Sequence, residues 1–301
     1  MRELSDQVIA ITGATSGLGR YLAGELAAAG ASLVVHGRDP ARLHQLQREL
    51  TESGGGRAQV RTVLADLADL QQVDRLADEL LEGAGGDGAA GDGAAGGPVE
   101  RIDVLVNNAG IGFGAAGTGR ETSAQGLELR FAVNYLAGYH LTRRLIPLLV
   151  ASAPARVVNV SSIGQEPLDP DDPQFERGYS GRAAYRRSKL AQIMFTFDLA
   201  DELAAAGVTA NALHPATFMD TAMVRELGGT PLSTVEEGGA ATLRLIASRE
   251  LEGVTGHYFD GNREAQANAQ AYDAEARAWL RQLSDQLVRD ALVPDRPSPT
   301  G

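Results

Sequence analysis

Short apolar runs alternate along the chain with longer segments in which apolar residues recur every three or four positions. Val8-Ile9-Ala10-Ile11 reads as a first strand, after which Leu18, Leu22 and Leu26 share one helical face until Gly30. Residues 32–35 predict a second strand, and 42–52 a helix that stops at Gly54-Gly55-Gly56. The pair repeats at 59–64 and 70–81, and 104–106 supplies a fourth strand. A long helical pattern over 127–149, a strand over 156–160, a helix over 185–206 closed by Gly207 and a strand over 208–213 follow. Residues 235–247 read as helix and 257–259 as the last strand, while Trp279 and Leu280 sit on a helix-like tail that frays into Pro and Ser. Alternating strands and helices predict an α/β chain built on a parallel sheet with crossover helices.

Two stretches break this pattern. Residues 83–97 are almost wholly Gly, Ala and Asp, too poor in apolar surface to offset their ordering entropy, and predict a flexible surface loop that lengthens a connection. Residues 164–184 carry Pro167, Pro170, Pro173, Phe175 and Tyr179 between the fifth strand and the next long helix. Loops at strand C-termini are where α/β folds place ligands, so this insertion is expected on the substrate side.

Composition narrows the function classes. With 301 residues and 44% hydrophobic content the chain can bury a sizeable core, and 1–301 is expected to form one domain. A net charge of -12 repels phosphate backbones and anionic lipid, so neither nucleic acid nor membrane is an expected partner. The absence of cysteine excludes disulfides, thiol nucleophiles and Cys-based zinc sites, and no other metal site is expected. The polar start and the lack of an apolar run of roughly 20 residues lead to the expectation of a cytoplasmic protein.

Chemistry first shows at the turn after the first strand, Thr12-Gly13-Ala14-Thr15-Ser16-Gly17-Leu18-Gly19. Glycines let the main chain approach a pyrophosphate, and the helix behind offers free N–H groups and a partial positive charge. Three glycines alone also suit an ordinary turn, but their place between strand and helix favours a dinucleotide. Gly13, Thr15, Ser16, Gly17, Leu18 and Gly19 are therefore candidate cofactor residues.

Later segments match in order: Asn107-Asn108-Ala109-Gly110 after the fourth strand, Val158-Asn159-Val160-Ser161-Ser162 at the fifth, and Tyr185-Arg186-Arg187-Ser188-Lys189 beyond it. With these motifs the chain resembles the short-chain dehydrogenase/reductases from about Val8 to Phe259. The resemblance implies a Rossmann-type doubly wound parallel sheet with helices on both faces. It implies Tyr185 as proton donor, Lys189 as its cationic partner and a contact of the nicotinamide ribose, Ser162 as holder of the substrate oxygen, and Asn134 as support of a water in the proton relay. Ser161 is the rival of Ser162. A free phenol has a pKa of about 10, and a cation one helical turn away would lower it. A Tyr and a Lys four apart also occur on solvated helices, and only the joint pattern gives this pair its meaning.

The distance from Ser162 to Tyr185 is longer than is usual in the family. Together with Gly256-His257-Tyr258-Phe259 it resembles the retinol-dehydrogenase-like and WW-domain-oxidoreductase-like branch. Gly37 stands where NAD-preferring relatives carry Asp, and Arg38 can engage a 2′-phosphate, so NADP(H) is expected over NAD(H). Asp39 could instead pair with Arg38 or cap the following helix, and His36 could stack near adenine or simply end its strand. By resemblance Asp66, Leu67, Asn107, Asn108, Ala109, Gly110 and Pro215 also line the cofactor, with Thr217 and Thr221 as rival contacts, Thr221 preferred. Ala216 replaces the family's glycine, and His214 reads as structural. Phe175, Tyr179, Phe218, Met219 and Met223 are candidate substrate walls, though such residues also pack loops onto a domain.

The expected function is interconversion of a ketone and a secondary alcohol on a sizeable hydrophobic or aromatic small molecule, polyketide-like ones included, by an NADP(H)-dependent oxidoreductase. Alternatives are a redox-sensing regulator that binds dinucleotide without turnover, disfavoured by the retained Tyr185 and Lys189, and an isomerase or epimerase. A homo-oligomer, dimer or tetramer, is expected through the helices carrying Asn134 and Tyr185.

Overall fold

The alternation of apolar residues along each strand decides how the sheet is covered. Ile9 and Ile11, Leu33 and Val35, and Val104 and Val106 are buried on one face, while Ala10, Val34 and Leu105 are buried on the other. Both faces being apolar, each strand needs a helical layer on either side, as parallel sheets require. The computed structural model describes residues 3–55, 59–83, 97–114, 117–226 and 228–293. Of the expected loop at 83–97, residues 84–96 lie outside the described residues, as does the tail from 294.

The sheet has eight strands in the order β3-β2-β1-β4-β5-β6-β7-β8. These are β1 (Val8–Ile11), β2 (Ser32–Gly37), β3 (Val60–Leu64), β4 (Val104–Asn107), β5 (Ala155–Val160), β6 (Val208–His214), β7 (Tyr258–Asp260) and β8 (Arg263–Ala265). All neighbours are parallel except β7 and β8, which pair antiparallel with Phe259 opposite Glu264. The chain leaves β1 toward β2 and later returns to pair β4 on its other side, so the order reverses at β1, and a crevice opens at the strand C-termini there. This is the doubly wound Rossmann-type arrangement.

One face carries α1 (Gly17–Ala28), α2 (Pro40–Ser53) and α8 (Val235–Ala247), packed through Leu18, Leu22, Leu46, Leu50 and Leu245. The other carries α3 (Leu70–Glu82), α5 (Ala137–Ala151), α6 (Gly181–Leu203) and α9 (Ala274–Leu292), packed through Leu76, Leu141, Leu145, Ile193 and Leu280. Short α7 (Ala222–Glu226) follows β6.

Three details depart from the sequence reading. The helix expected over 127–149 opens as α4 (Leu129–Phe131), widens into a π-turn (Ala132–Leu136) and continues as α5. Helix α6 begins at Gly181, capped by Ser180, whose side chain accepts from Ala183 N–H, so Tyr185 lies in its second turn. Strand β8 was not foreseen, because Arg-Glu-Ala on a sheet edge carries no apolar alternation.

Candidate functional site

The glycine turn is braced from behind. Thr12 Oγ1 accepts the N–H groups of Asn108 (3.0 Å) and Ala109 (3.1 Å), and Asn108 Nδ2 donates to the carbonyls of Thr12 (2.8 Å) and Gly13 (3.2 Å). Gly13 has φ 67°, and a Cβ there would lie 2.8 Å from Ala109 Cα, so a glycine is needed on both counts. Its N–H donates to His36 Nδ1 at 3.1 Å, which places the ring proton on Nε2, 3.0 Å from the Ala65 carbonyl. Burial pushes His36 below the usual imidazole range and keeps it neutral. His36 is thus held through both ring nitrogens between the turn and the end of β3. At the head of α1, Ser16 makes no side-chain cap, so the first N–H groups have no side-chain acceptor from their own cap residue. Thr221 faces this turn: a Cβ on Gly17 would stand 3.2 Å from its Cγ2.

Packing at the end of β2 bears on the cofactor. A Cβ on Gly37 would come within 2.6 Å of Thr15 Cγ2, so an acidic side chain at that position has no room. Arg38 is exposed and without a hydrogen-bond or ion-pair partner among the described residues. Asp39 is engaged elsewhere, accepting from the N–H groups of Ala41 (2.9 Å) and Arg42 (3.1 Å) as the N-cap of α2. A cleft of about 320 Å³ runs between the turn and α2, lined by Thr15, Ser16, Gly17, Arg20 and Arg42 among others. Asp66 Oδ1 accepts from Ala68 N–H at 2.9 Å, and Leu67 is buried.

Across the crevice, α6 and β5 bring Tyr185, Lys189 and Ser162 together. The Tyr185 phenol faces the Ser162 side chain, which favours its phenolate, and Ser162 Oγ accepts Gly164 N–H at 3.0 Å. Ser161, the rival serine, donates its hydroxyl to the Lys189 carbonyl at 2.8 Å and is tied to the backbone of α6. Lys189 Nζ donates to the Val160 carbonyl (2.8 Å) and Gln192 Oε1 (3.3 Å) and lies 5.8 Å from the Tyr185 ring centroid. Burial brings the Lys189 ammonium down to about 8. The phenol is shifted upward, since burial outweighs the effect of the Ser162 side chain. The nearby cation was expected to lower it, but desolvation is the effect that wins.

Asn134 sits in the π-turn, and its amide is fully engaged. Oδ1 accepts Ile111 N–H (2.7 Å), while Nδ2 donates to the Ile111 carbonyl (3.1 Å) and to Ser188 Oγ (3.0 Å). It therefore locks the segment after β4, Gly110 included, against the helix that carries Tyr185 and Lys189.

Beyond β6 the chain turns at buried Pro215. The Thr217 hydroxyl is 3.0 Å from His214 Nε2, leaving Thr221 as the threonine that faces the glycine turn. Phe218 has φ 45° and is 43% exposed, beside Leu232 at 70%, and Met219 and Met223 are half-buried nearby. Phe175 and Tyr179 are placed differently. Phe175 is buried beneath the Arg187 guanidinium, 4.0 Å from the ring centroid, and the Tyr179 hydroxyl donates to Glu128 (3.0 Å) and accepts from Arg130 (3.0 Å). Both fasten the insertion to its neighbours.

Several contributors escaped the sequence reading. Phe113 packs edge-on to Tyr185 with centroids 4.8 Å apart. Asn159 joins β5 to α6 through Thr196 at 2.8 Å, and Asn107, expected from the sequence to line the cofactor, instead turns its buried amide to Asn159 at 2.8 Å. Gln165 and Tyr258 touch the Ser162 carbonyl and border a cleft of about 350 Å³. No periodicity marks such residues; only the Gly-x-Tyr-Phe run pointed at Tyr258, and it named no role. Among the described residues no group of His, Asp or Glu is arranged to hold a metal, and no helix is long and apolar enough to cross a membrane.

Comparison with known proteins accords with this geometry. The short chain dehydrogenase family profile matches residues 7–231. Retinol dehydrogenase 14 of Mus musculus is 35% identical over 94% of this chain and 86% of its own. A probable oxidoreductase of Streptomyces lividans is 35% identical over 87% of each chain. Among solved structures, an uncharacterised protein of Mycobacterium paratuberculosis superposes with a TM-score of 0.73 at 30% identity, covering 96% of both chains. A short chain dehydrogenase of Escherichia coli CFT073 complexed with NADPH gives 0.64 at 26%, over 86% of this chain and 97% of that one. The glycine turn, the Ser162–Tyr185 contact and the extent of these matches make the chain an oxidoreductase of the short-chain dehydrogenase family.

Proposed function

We propose that the protein reduces a ketone to a secondary alcohol, or runs the reverse reaction, with NADP(H), on a sizeable apolar or aromatic small molecule. The observation that carries the reaction is the Tyr185 phenol facing Ser162 with the Lys189 ammonium one helical turn away, 5.8 Å from the ring centroid. When bound, the nicotinamide supplies or takes the hydride. The chain's own groups handle the oxygen. Tyr185 delivers its proton to the oxygen as negative charge develops there, Ser162 Oγ donates to the same atom, and the Lys189 ammonium stabilises the phenolate left behind. In oxidation the phenolate takes the alcohol proton.

The residues suit a dinucleotide. The turn needs a bare Gly13, the head of α1 has no side-chain cap, and Thr221 closes the opposite side. The reading of NADP(H) rests on Gly37, where Thr15 leaves no room for an acid, and on the unpartnered Arg38. Exposed Phe218 and Leu232 in the segment after β6 support an apolar substrate. The E. coli relative holds NADPH, in keeping with this choice. The test is NADPH consumption with a panel of ketones. Tyr185→Phe should lose about 10²- to 10⁴-fold in turnover while still binding NADPH. Unchanged turnover in that variant would remove Tyr185 as the acid.

A further inference from the structure

Ser162 is the second residue beyond β5, outside the sheet, yet it must meet a phenol on a separate helix. Its hydroxyl, which faces Tyr185, accepts Gly164 N–H, two residues on in the same segment, and this does not anchor it to the rest of the fold. Its carbonyl oxygen is held instead. Tyr258 Oη, from β7, donates to it at 3.1 Å, and Gln165 Nε2 donates to it at 3.1 Å. Gln165 and Tyr258 thus converge on one carbonyl oxygen from two separate segments. The other end of the Gln165 amide, Oε1, accepts Asn268 N–H at 2.7 Å.

A second glutamine repeats the device a few residues on. Gln270 Oε1 accepts Leu168 N–H at 2.8 Å, and its Nε2 donates to the Leu168 carbonyl at 2.9 Å. Asn268 in turn accepts Gln270 N–H at 3.0 Å and caps the turn that carries it. Two side-chain amides thus act as rungs between the segment following β5 and the segment following β8, where no strand pairing exists. Tyr258 is buried, and burial pushes its phenol far above the usual tyrosine range, so it remains a donor.

We propose that Tyr258 and Gln165 are positioning residues that hold Ser162 within reach of the Tyr185 phenol by gripping the Ser162 carbonyl. Neither touches the reacting oxygen; both act through Ser162. The inference rests on the oxidoreductase reading given above only for its kinetic arm.

The variants are Tyr258→Phe, which keeps the ring and removes the donor, and Gln165→Glu, which keeps an acceptor for Asn268 and sets a carboxylate against the Ser162 carbonyl. Each should lower kcat about tenfold, the scale of a small misplacement, with NADPH affinity unchanged. In a Ser162→Ala background the same substitutions should cause no further loss, because the residue they act through is gone. Equal slowing in both backgrounds, or slowing in neither, would overturn the proposal. A second readout needs no turnover. In protein carrying carbon-labelled tyrosine, the Tyr185 resonance, assigned with Tyr185→Phe, should shift in Tyr258→Phe and Gln165→Glu in the direction that Ser162→Ala shifts it. A resonance that stays at its wild-type position in folded variants refutes the brace. If wild-type protein turns over no carbonyl or alcohol, the oxidoreductase reading fails while this measurement still decides the brace.

Discussion

Burial governs both titrating groups of the site, and it moves them toward each other. The Tyr185 phenol is pushed up and the Lys189 ammonium is brought down to about 8, each because its charged form is poorly solvated. The sign of the pH dependence follows. Below about 8 Lys189 is charged and supports the phenolate that Tyr185 becomes; above it that support is lost, while Tyr185 still holds its proton. The rate of ketone reduction should therefore fall as pH rises through about 8, measured at saturating substrate and NADPH. A rate flat through this range would show that the ammonium is not needed. Arg38 gives a second expectation. A charge-assisted contact contributes roughly 1.5–3 kcal/mol, so Arg38→Ala should lower the preference for NADPH over NADH by roughly ten- to a hundredfold in kcat/KM. An unchanged ratio would place the discrimination elsewhere.

Elements meet at the site through backbone geometry as much as through side chains. At Gly13 any larger residue would need φ 67° and would press on Ala109, the first residue after the paired asparagines of β4. Gly13→Ala should cost about 1–3 kcal/mol of stability, read by thermal unfolding, and should abolish tight dinucleotide binding, read by fluorescence titration. The sequence made this turn legible, because strand, glycines and helix adjoin along the chain. It likewise made seven strands of the sheet legible as short continuous apolar runs such as Val8-Ile9-Ala10-Ile11, whose residues are buried on both faces. What it did not reveal depends on contacts between distant segments. The π-turn at Asn134 looks like ordinary helix, because its apolar spacing is shared with both neighbours. The roles of His36, Gln165 and Tyr258 arise from partners 23 to 103 residues away. Phe175 and Tyr179 looked like substrate walls because they are aromatic residues in a loop, yet cationic and carboxylate neighbours occupy them.

On the scale of the molecule, α9 sets the boundary of one whole face. Tyr135 Oη lies 2.7 Å from Ser284 Oγ, Tyr139 donates to Asp285 at 2.6 Å, and Arg277 and Arg281 pair with Asp198. Leu280 and Val288 are buried against the helices that hold Asn134 and Tyr185, the helices through which subunit association was expected. Within one chain that surface is already covered. Deleting residues 274–301 should lower the melting temperature and cause concentration-dependent association in sedimentation, as an apolar face becomes exposed. A truncated chain with unchanged sedimentation would show that α9 shields nothing adhesive. The same late segments give the chain an order of assembly. The glycine turn lies ahead of α2, whereas its braces Asn108 and Ala109 come after β4 and the grip on the Ser162 carbonyl waits for Tyr258 and Asn268. During synthesis on the ribosome, the glycine turn therefore emerges well before the residues that brace it, and the grip on Ser162 comes last.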